Sequence, residues 1–199
     1  AMRPIPALDQ IRDLSGSELP RIPYRAGRTL WVFGYGSLMW EPGFTHAEQQ
    51  PALLHGYHRD LCVWSVRYRG TPDNPGLVLG LKRGGSCRGQ AFRVKVSEVK
   101  ACIEYLRQRE LSTNIYRPLH RPIRLADQRQ IDALVFVTRF EHPQFVTNLS
   151  QQSVAAILRG ASGRRGRNRD YVLNTVAHLR QYGISDRNLE RLSELLQGG

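Results

Sequence analysis

The sequence contains no hydrophobic run long enough to cross a membrane. A membrane-spanning helix needs about 18–20 consecutive apolar residues, and apolar stretches such as TLWVFG at 29–34 are far shorter. No apolar segment typical of a secretory signal peptide is present, and the early acidic residues in AMRPIPALDQIRDL argue against an organellar transit peptide. The sequence therefore predicts a protein with no membrane partner.

Cysteine is scarce, and its distribution excludes a disulfide framework. The three cysteines, Cys62, Cys87 and Cys102, are odd in number and widely spaced, which is typical of buried thiols in a reducing cytoplasm. His55 and His58 precede Cys62 with the spacing H-x-x-H-x-x-x-C, but the chain has no matching second half. We therefore predict no zinc site here and a cytoplasmic location.

Lysine is also scarce, since 26 of the 29 cationic side chains are arginine and the formal net charge is +12. The densest cluster is the string GASGRRGRNRD at 160–170. Few aromatic residues and no nucleic-acid-binding motif accompany it. We interpret it as an arginine-rich loop of a basic protein and predict no nucleic-acid partner, although a positive field favours small anionic substrates.

Strand patterns come first along the chain and helix patterns follow. Residues 1–28 show weak periodicity and predict a surface arm, and 29–199 predict one domain of α+β class. A clear helix is predicted at about 97–111, with Ser97 as its N-cap. Further helices are predicted in SVAAILRG, NRDYVLNTVAHLRQYG and SDRNLERLSELL. The predicted strands are 29–34, 60–68, 76–82, 87–96, about 117–125 and 132–140.

The first strand ends in GYGSLM, which fits none of three standard motifs. A dinucleotide-binding loop needs a third glycine where Met39 stands, and a phosphate-binding P-loop needs G-K-[ST]. A nucleophile elbow needs glycine two residues on either side of serine, but Tyr35 and Met39 flank Ser37. Two interpretations stay open. In the first, the backbone N–H groups form a pocket for an anion or oxyanion. In the second, the segment is a plain turn at the end of a strand.

The predicted helix VKACIEYLRQRE carries a carboxylate on its apolar face. Val99, Cys102, Ile103 and Leu106 form a stripe, and continuing it by four residues leads to Glu110. Burial and the negative end of the helix dipole both raise the pKa of such a carboxyl group, as a general base requires. The alternatives are that the helix frays and Glu110 is solvated, or that Glu110 pairs with an arginine.

Several strings, in their order along the chain, resemble the ChaC-like γ-glutamylcyclotransferases. They are VFGYGSLMW, GYHRDLCVWSVRYRGTPDNPGLVLGL, GGSCRGQAFRV, YLRQRE and GRNRDYVLN. The resemblance covers about residues 30–190. Met39 stands where the family usually has isoleucine, and the arm 1–28 is additional.

The resemblance implies a small mixed β-barrel of about five to six strands flanked by α-helices. It also implies cleavage of glutathione to 5-oxoproline and cysteinylglycine, without a metal or cofactor. Glu110 matches the catalytic glutamate, and Tyr171 lies in the segment that matches the family's C-terminal tyrosine motif. Arg69 follows a strand expected to neighbour the site. Arg69 and Tyr171 are therefore candidate substrate-binding residues, with a structural role as the alternative for each. The backbone of the first loop is expected to hold the γ-glutamyl group through Gly34, Tyr35, Gly36, Ser37, Leu38 and Met39.

Other functions remain open at this point. The chain could be a cyclotransferase for other γ-glutamyl amides, or a non-catalytic γ-glutamyl-binding regulator of cation transport. A basic RNA-binding protein is a third candidate. Our expectation is a monomeric cytoplasmic enzyme whose only partner is its small-molecule substrate, glutathione.

Overall fold

The structure is a computed structural model that describes residues 11–198. The predicted arm therefore lies partly outside the described residues. The chain divides into two compact units. We call residues 12–59 and 81–139 the barrel unit, and residues 60–80 and 140–198 the helical unit.

Five strands form a closed barrel in the order β1-β3-β2-β4-β5. β1 runs antiparallel to β3 and parallel to β5, and β4 runs antiparallel to both β2 and β5. The predicted mixed barrel and α+β class are confirmed. The strands are β1 (Leu30–Gly34), β2 (Glu48–Ser65), β3 (Gly76–Val94), β4 (Tyr116–Leu125) and β5 (Gln130–Thr138).

Two of the predicted strand boundaries are wrong. The predicted strands 76–82 and 87–96 are one strand, β3, because Gly84 and Gly85 take positive φ angles of 94° and 68° without ending it. Glycine tolerates that conformation, which lets a strand bend and continue. β2 begins at Glu48 rather than at 60, although proline and glycine within its first half weaken its strand pattern.

The four predicted helices lie close to their predicted positions, and one further short helix, Ser37–Trp40, was not predicted. No helix among the described residues is both long enough and apolar enough to span a bilayer. The N-cap prediction at Ser97 is wrong, because a 3₁₀ turn at Val96–Glu98 leads into the second helix. The helices are α1 (Ser37–Trp40), α2 (Val99–Glu110), α3 (Gln151–Gly160), α4 (Asn168–Gln181) and α5 (Arg187–Gln197).

The apolar stripe of α2 packs into the core of the barrel unit. All four predicted stripe residues are buried. Leu19 and Ile22, each 4% exposed, join the same cluster. The prediction of a surface arm is therefore wrong at these two positions, where two buried side chains are too few to reveal a periodic pattern. The cluster contains Leu19, Ile22, Leu30, Val32, Leu38, Val94, Val99, Cys102, Ile103, Leu106, Leu111, Leu134 and Phe136.

In the helical unit, Asn168 at the start of α4 connects this helix to the first residues of β3. Asn168 is fully buried, and its amide accepts from Leu77 N at 2.6 Å and donates to Leu77 O at 2.7 Å. The arginine-rich segment forms a short hairpin of β6 (Ser162–Gly163) and β7 (Gly166–Arg167). Its backbone donates to the carbonyl groups of Arg67 and Tyr68. The predicted loop is therefore an anchored hairpin.

Replacing Leu19 by alanine should destabilise the protein by about 2–5 kcal/mol, because the change leaves a cavity in the core of the barrel unit. Urea denaturation measures the loss as a lower midpoint. Arg21→Ala is the matched control, since Arg21 is exposed two residues away. Equal midpoints for the two variants would contradict the packing of this segment.

Candidate active site

β1 ends at a tight turn that two glycines make possible. A Cβ atom on Gly34 would lie 3.0 Å from Leu38 Cβ and 3.1 Å from Met39 N, because the chain folds back over this residue. A Cβ atom on Gly89 would lie only 2.2 Å from the carbonyl oxygen of Gly34. The close approach of β3 to the end of β1 therefore requires glycine at 89, which the sequence analysis did not identify.

A buried arginine fixes the next residue of the turn. Arg59 is 6% exposed and donates from Nε to the carbonyl oxygen of Tyr35 at 2.6 Å. Its Nη2 donates to the carbonyl oxygen of Arg88 at 2.7 Å. Charge-assisted hydrogen bonds in a buried setting are strong and directional. Arg59 thus holds the turn against β3, a role that its place in the string GYHRDLC did not reveal.

The turn continues as one short helical turn, α1. Met39 N donates to Gly36 O, and Glu41 N donates to Ser37 O, each at 2.9 Å. Leu38 and Met39 point their side chains into the protein and are 6% and 1% exposed, whereas Ser37 is exposed. The N–H groups of Ser37 and Leu38 lie in the first turn, where a helix offers no acceptor. Of residues 34–39, Ser37 is the exposed one, so a ligand that reaches this segment meets Ser37 first.

Glu110 is the last residue of α2, and its side chain is 17% exposed. Arg109 Nε lies 3.1 Å from Glu110 Oε1. Of the alternatives left open by the sequence, pairing with an arginine is the one that the structure contains. The carboxylate is neither solvated at a frayed end nor isolated on an apolar face. A neighbouring cation favours the ionised form of a carboxylate, so the isolated apolar setting expected from the sequence is not the one observed.

Arg109 also reaches the turn after β1. Its Nη2 donates to Ser37 Oγ at 2.9 Å, and its Nη1 donates to Tyr105 Oη at 2.9 Å. Glu110 and the GYGSLM segment, which the sequence analysis selected for unrelated reasons, are thus joined through one guanidinium group. Arg109 lies at the edge of the apolar stripe, seven residues after Cys102. It was missed because an arginine near the end of a helix is typical of a solvated surface charge.

The three cysteines are unsuited to a nucleophilic role. Burial raises the pKa of the Cys102 thiol to about 12, so the thiol stays protonated and unreactive at neutral pH. Cys62 and Cys87 are also buried, and neither forms a disulfide. Within residues 11–198, no three His, Cys, Asp or Glu side chains are grouped closely enough to hold a metal ion.

Residues 30–198 match the family model described as "ChaC-like protein". The chain belongs to the ChaC-like family. It is 34% identical over 163 residues to the glutathione-specific γ-glutamylcyclotransferase of Escherichia coli, covering 82% of this chain and 71% of that protein. It is 28% identical over 172 residues to γ-glutamylcyclotransferase 2-3 of Arabidopsis thaliana, covering 82% and 86% of the two chains.

The ChaC-like fold is shared with a solved structure. The crystal structure described as a γ-glutamyl cyclotransferase specific to glutathione from yeast, in its selenomethionine form, superimposes with a TM-score of 0.78. The match covers 85% of this chain and 96% of the yeast chain at 22% identity. At that identity the likeness establishes the fold alone.

Two of the predicted ChaC-like site residues lie in the helical unit and contact each other. The Arg69 guanidinium carbon is 5.2 Å from the centre of the Tyr171 ring, and Tyr171 Oη accepts from Leu79 N at 3.1 Å. Burial lowers the pKa of Arg69, and Arg165 adds to the effect while Tyr171 opposes it. The assignment of Arg69 and Tyr171 to substrate binding stays a prediction.

Replacing Gly89 by alanine should destabilise this ChaC-like protein by about 1–3 kcal/mol, because the methyl group would overlap the Gly34 carbonyl and the Phe33 ring. Thermal unfolding measures the effect. Gly160→Ala is the control, since a Cβ atom there meets nothing within 4 Å. If Gly89→Ala unfolded at the wild-type temperature, the tight packing of β3 on the turn would be refuted.

Proposed function

We propose that the protein is a γ-glutamylcyclotransferase that cleaves glutathione to 5-oxoproline and cysteinylglycine. The observation that carries the proposal is the link from Glu110 through Arg109 to Ser37, which places a carboxylate beside the turn that the family resemblance assigns to γ-glutamyl binding. The names of the Escherichia coli and Arabidopsis relatives support the same reaction type.

The reaction needs no nucleophile from the protein. The α-amine of the γ-glutamyl group attacks its own γ-carbonyl carbon, a five-membered lactam closes, and the bond to the cysteinyl nitrogen breaks. Holding the substrate in the folded geometry for this attack can contribute up to about 7–11 kcal/mol. The buried Cys102 thiol and the Ser37 hydroxyl, which accepts from Arg109, are compatible with this chemistry, because neither has to form a covalent intermediate.

Glu110 is proposed to move the proton. The substrate α-ammonium group has an ordinary pKa of about 8 and must lose a proton before it attacks. The Glu110 carboxylate accepts that proton and passes it to the departing cysteinyl nitrogen. The attacking nitrogen loses a second proton as the lactam forms, and the released amine takes up one proton, so that no proton is gained or lost overall. The carboxylate is mostly buried and oriented by an ion pair, as a proton carrier between two fixed positions requires.

The turn after β1 is proposed to bind the γ-glutamyl group and to stabilise the oxyanion. The N–H groups of Ser37 and Leu38, at the start of α1, are suited to the negative charge that develops on the γ-carbonyl oxygen. Gly34, Tyr35, Gly36 and Met39 shape this turn. The Ser37 hydroxyl is engaged by Arg109, and we assign it to orientation of the turn rather than to nucleophilic attack.

The site of action is proposed to be the reducing cytoplasm, consistent with three buried cysteines that form no disulfide. The monomeric state and the absence of a nucleic-acid partner stay predictions. Light scattering in solution measures the first, and binding assays with RNA at low and high salt measure the second.

Glu110→Gln should lower kcat for 5-oxoproline release from glutathione by about 10²–10⁴-fold, because the amide cannot carry the proton. Glutathione binding, measured by calorimetry, should stay within a few-fold of wild type. The matched control is Glu104→Gln on the same helix, where the carboxylate is 56% exposed and pairs with Arg107. A near-normal kcat for Glu110→Gln would remove Glu110 from the mechanism.

Other γ-glutamyl amides are the alternative substrate class, since the name of the Arabidopsis relative gives the reaction type alone. We expect glutathione to be preferred over γ-glutamyl-alanine by about 10- to 100-fold in kcat/KM. The cysteinylglycine portion adds remote contacts whose binding energy orients the reacting atoms. Assays at matched concentrations measure the ratio. Equal values would refute glutathione specificity and leave the cyclotransferase assignment intact.

A further inference from the structure

We propose that Arg109 is a positioning residue, which holds the Glu110 carboxylate in a fixed position relative to the turn after β1. The inference rests on the proposed function, because it assigns Arg109 a task in the same reaction. Arg109 does not need to contact the substrate for this task. It acts through Glu110 and Ser37, the two groups that it joins.

The guanidinium group of Arg109 contacts five different partners. Nε pairs with Glu110 Oε1 at 3.1 Å, and Nη2 donates to Ser37 Oγ at 2.9 Å. Nη1 donates to Tyr105 Oη at 2.9 Å, to Glu41 O at 2.6 Å and to Pro42 O at 3.3 Å. Each of the three nitrogens therefore serves a different part of the site: the carboxylate, the first residue of α1, and the segment that follows α1.

This arrangement depends on the planar shape of arginine. A guanidinium group is planar and holds its N–H donors in fixed directions. A contact that fixes one of its nitrogens therefore also fixes the directions of the others. A lysine ammonium group at the same place could keep a positive charge near Glu110. It could not at the same time reach Ser37 Oγ and the Glu41 carbonyl in fixed directions.

The surrounding residues hold the guanidinium in place. Only 20% of the Arg109 side chain is exposed. The Tyr105 ring lies beside it, with 5.9 Å between the guanidinium carbon and the ring centre. Gly43 has a φ angle of 74°, and a Cβ atom there would lie 2.0 Å from Tyr105 Oη. The glycine after Pro42 therefore leaves the space in which Tyr105 meets Arg109.

The positioning role predicts a specific pattern of kinetic change. A shift of about 1 Å between reacting groups can lower a rate by about 10²-fold. We therefore expect Arg109→Ala to lower kcat about 10²-fold while KM changes by only a few-fold. The acidic limb of the kcat/KM profile should move to higher pH, because loss of the nearby cation disfavours the ionised carboxylate.

Arg109→Lys separates geometry from charge. The lysine variant should return the acidic limb toward its wild-type position, because it restores a cation, but kcat should stay at least tenfold below wild type. Added guanidinium ion at millimolar concentration should raise kcat of Arg109→Ala at least several-fold. These two results together distinguish orientation of Glu110 by the planar guanidinium group from stabilisation of Glu110 by a positive charge alone.

Arg107→Ala is the matched control, because the Arg107 side chain is also 20% exposed and lies on the same helix. Its guanidinium donates to Pro20 O at 3.1 Å and to Leu19 O at 2.9 Å, away from Glu110. This variant should unfold at a lower temperature and keep the wild-type kcat at temperatures where it is folded. If Arg109→Ala fails to fold, Arg109→Gln takes its place in the comparison.

Three outcomes would overturn the proposal while leaving the proposed function in place. They are a normal kcat for Arg109→Ala, full recovery of kcat in Arg109→Lys, and an equal loss of kcat in Arg107→Ala. A folded wild-type protein that releases no 5-oxoproline from glutathione or from γ-glutamyl-alanine would overturn the proposed function and this inference together. The wild-type assay therefore distinguishes the two failures.

Discussion

The burial of the apolar face of α2 in the barrel unit is the constraint on which the candidate site depends. Val99, Cys102, Ile103 and Leu106 give that face only one favourable orientation against the core. Because a helix is rigid over three turns, fixing these four residues also fixes the direction of Glu110 one turn later. The hydrophobic effect thus places a carboxylate where its own solvation would not have put it.

The turn that faces the substrate in our proposal is built mainly from backbone contacts. Close approach at Gly34 and Gly89, and the bonds from Arg59 to two carbonyl groups, define its shape. A turn of this kind suits a reaction in which the substrate supplies its own nucleophile. What the protein must provide is orientation, a proton carrier and donors for an oxyanion, and none of these requires a reactive side chain in the turn.

The many arginines of the chain differ in role although they look alike in the sequence. Arg59 is buried and supports the turn, whereas Arg107 ties α2 to the carbonyl groups of residues 19 and 20. Arg165 lies over the Tyr68 ring, 4.7 Å from its centre. The guanidinium group suits each task because it combines a permanent charge with several fixed donors. Net charge alone could not separate these roles from nucleic-acid binding.

The sequence by itself determined the α+β class, the mixed barrel implied by the family resemblance, and the apolar stripe that leads to Glu110. These depend on local periodicity and on contiguous strings, which can be read along the chain. Only the tertiary structure decided that Leu19 is buried, that Gly89 faces the end of β1, and that Arg109 links Glu110 to Ser37. These are contacts between distant segments. Periodicity cannot reveal them, because a single glycine or arginine has the same local pattern whether it faces solvent or another segment.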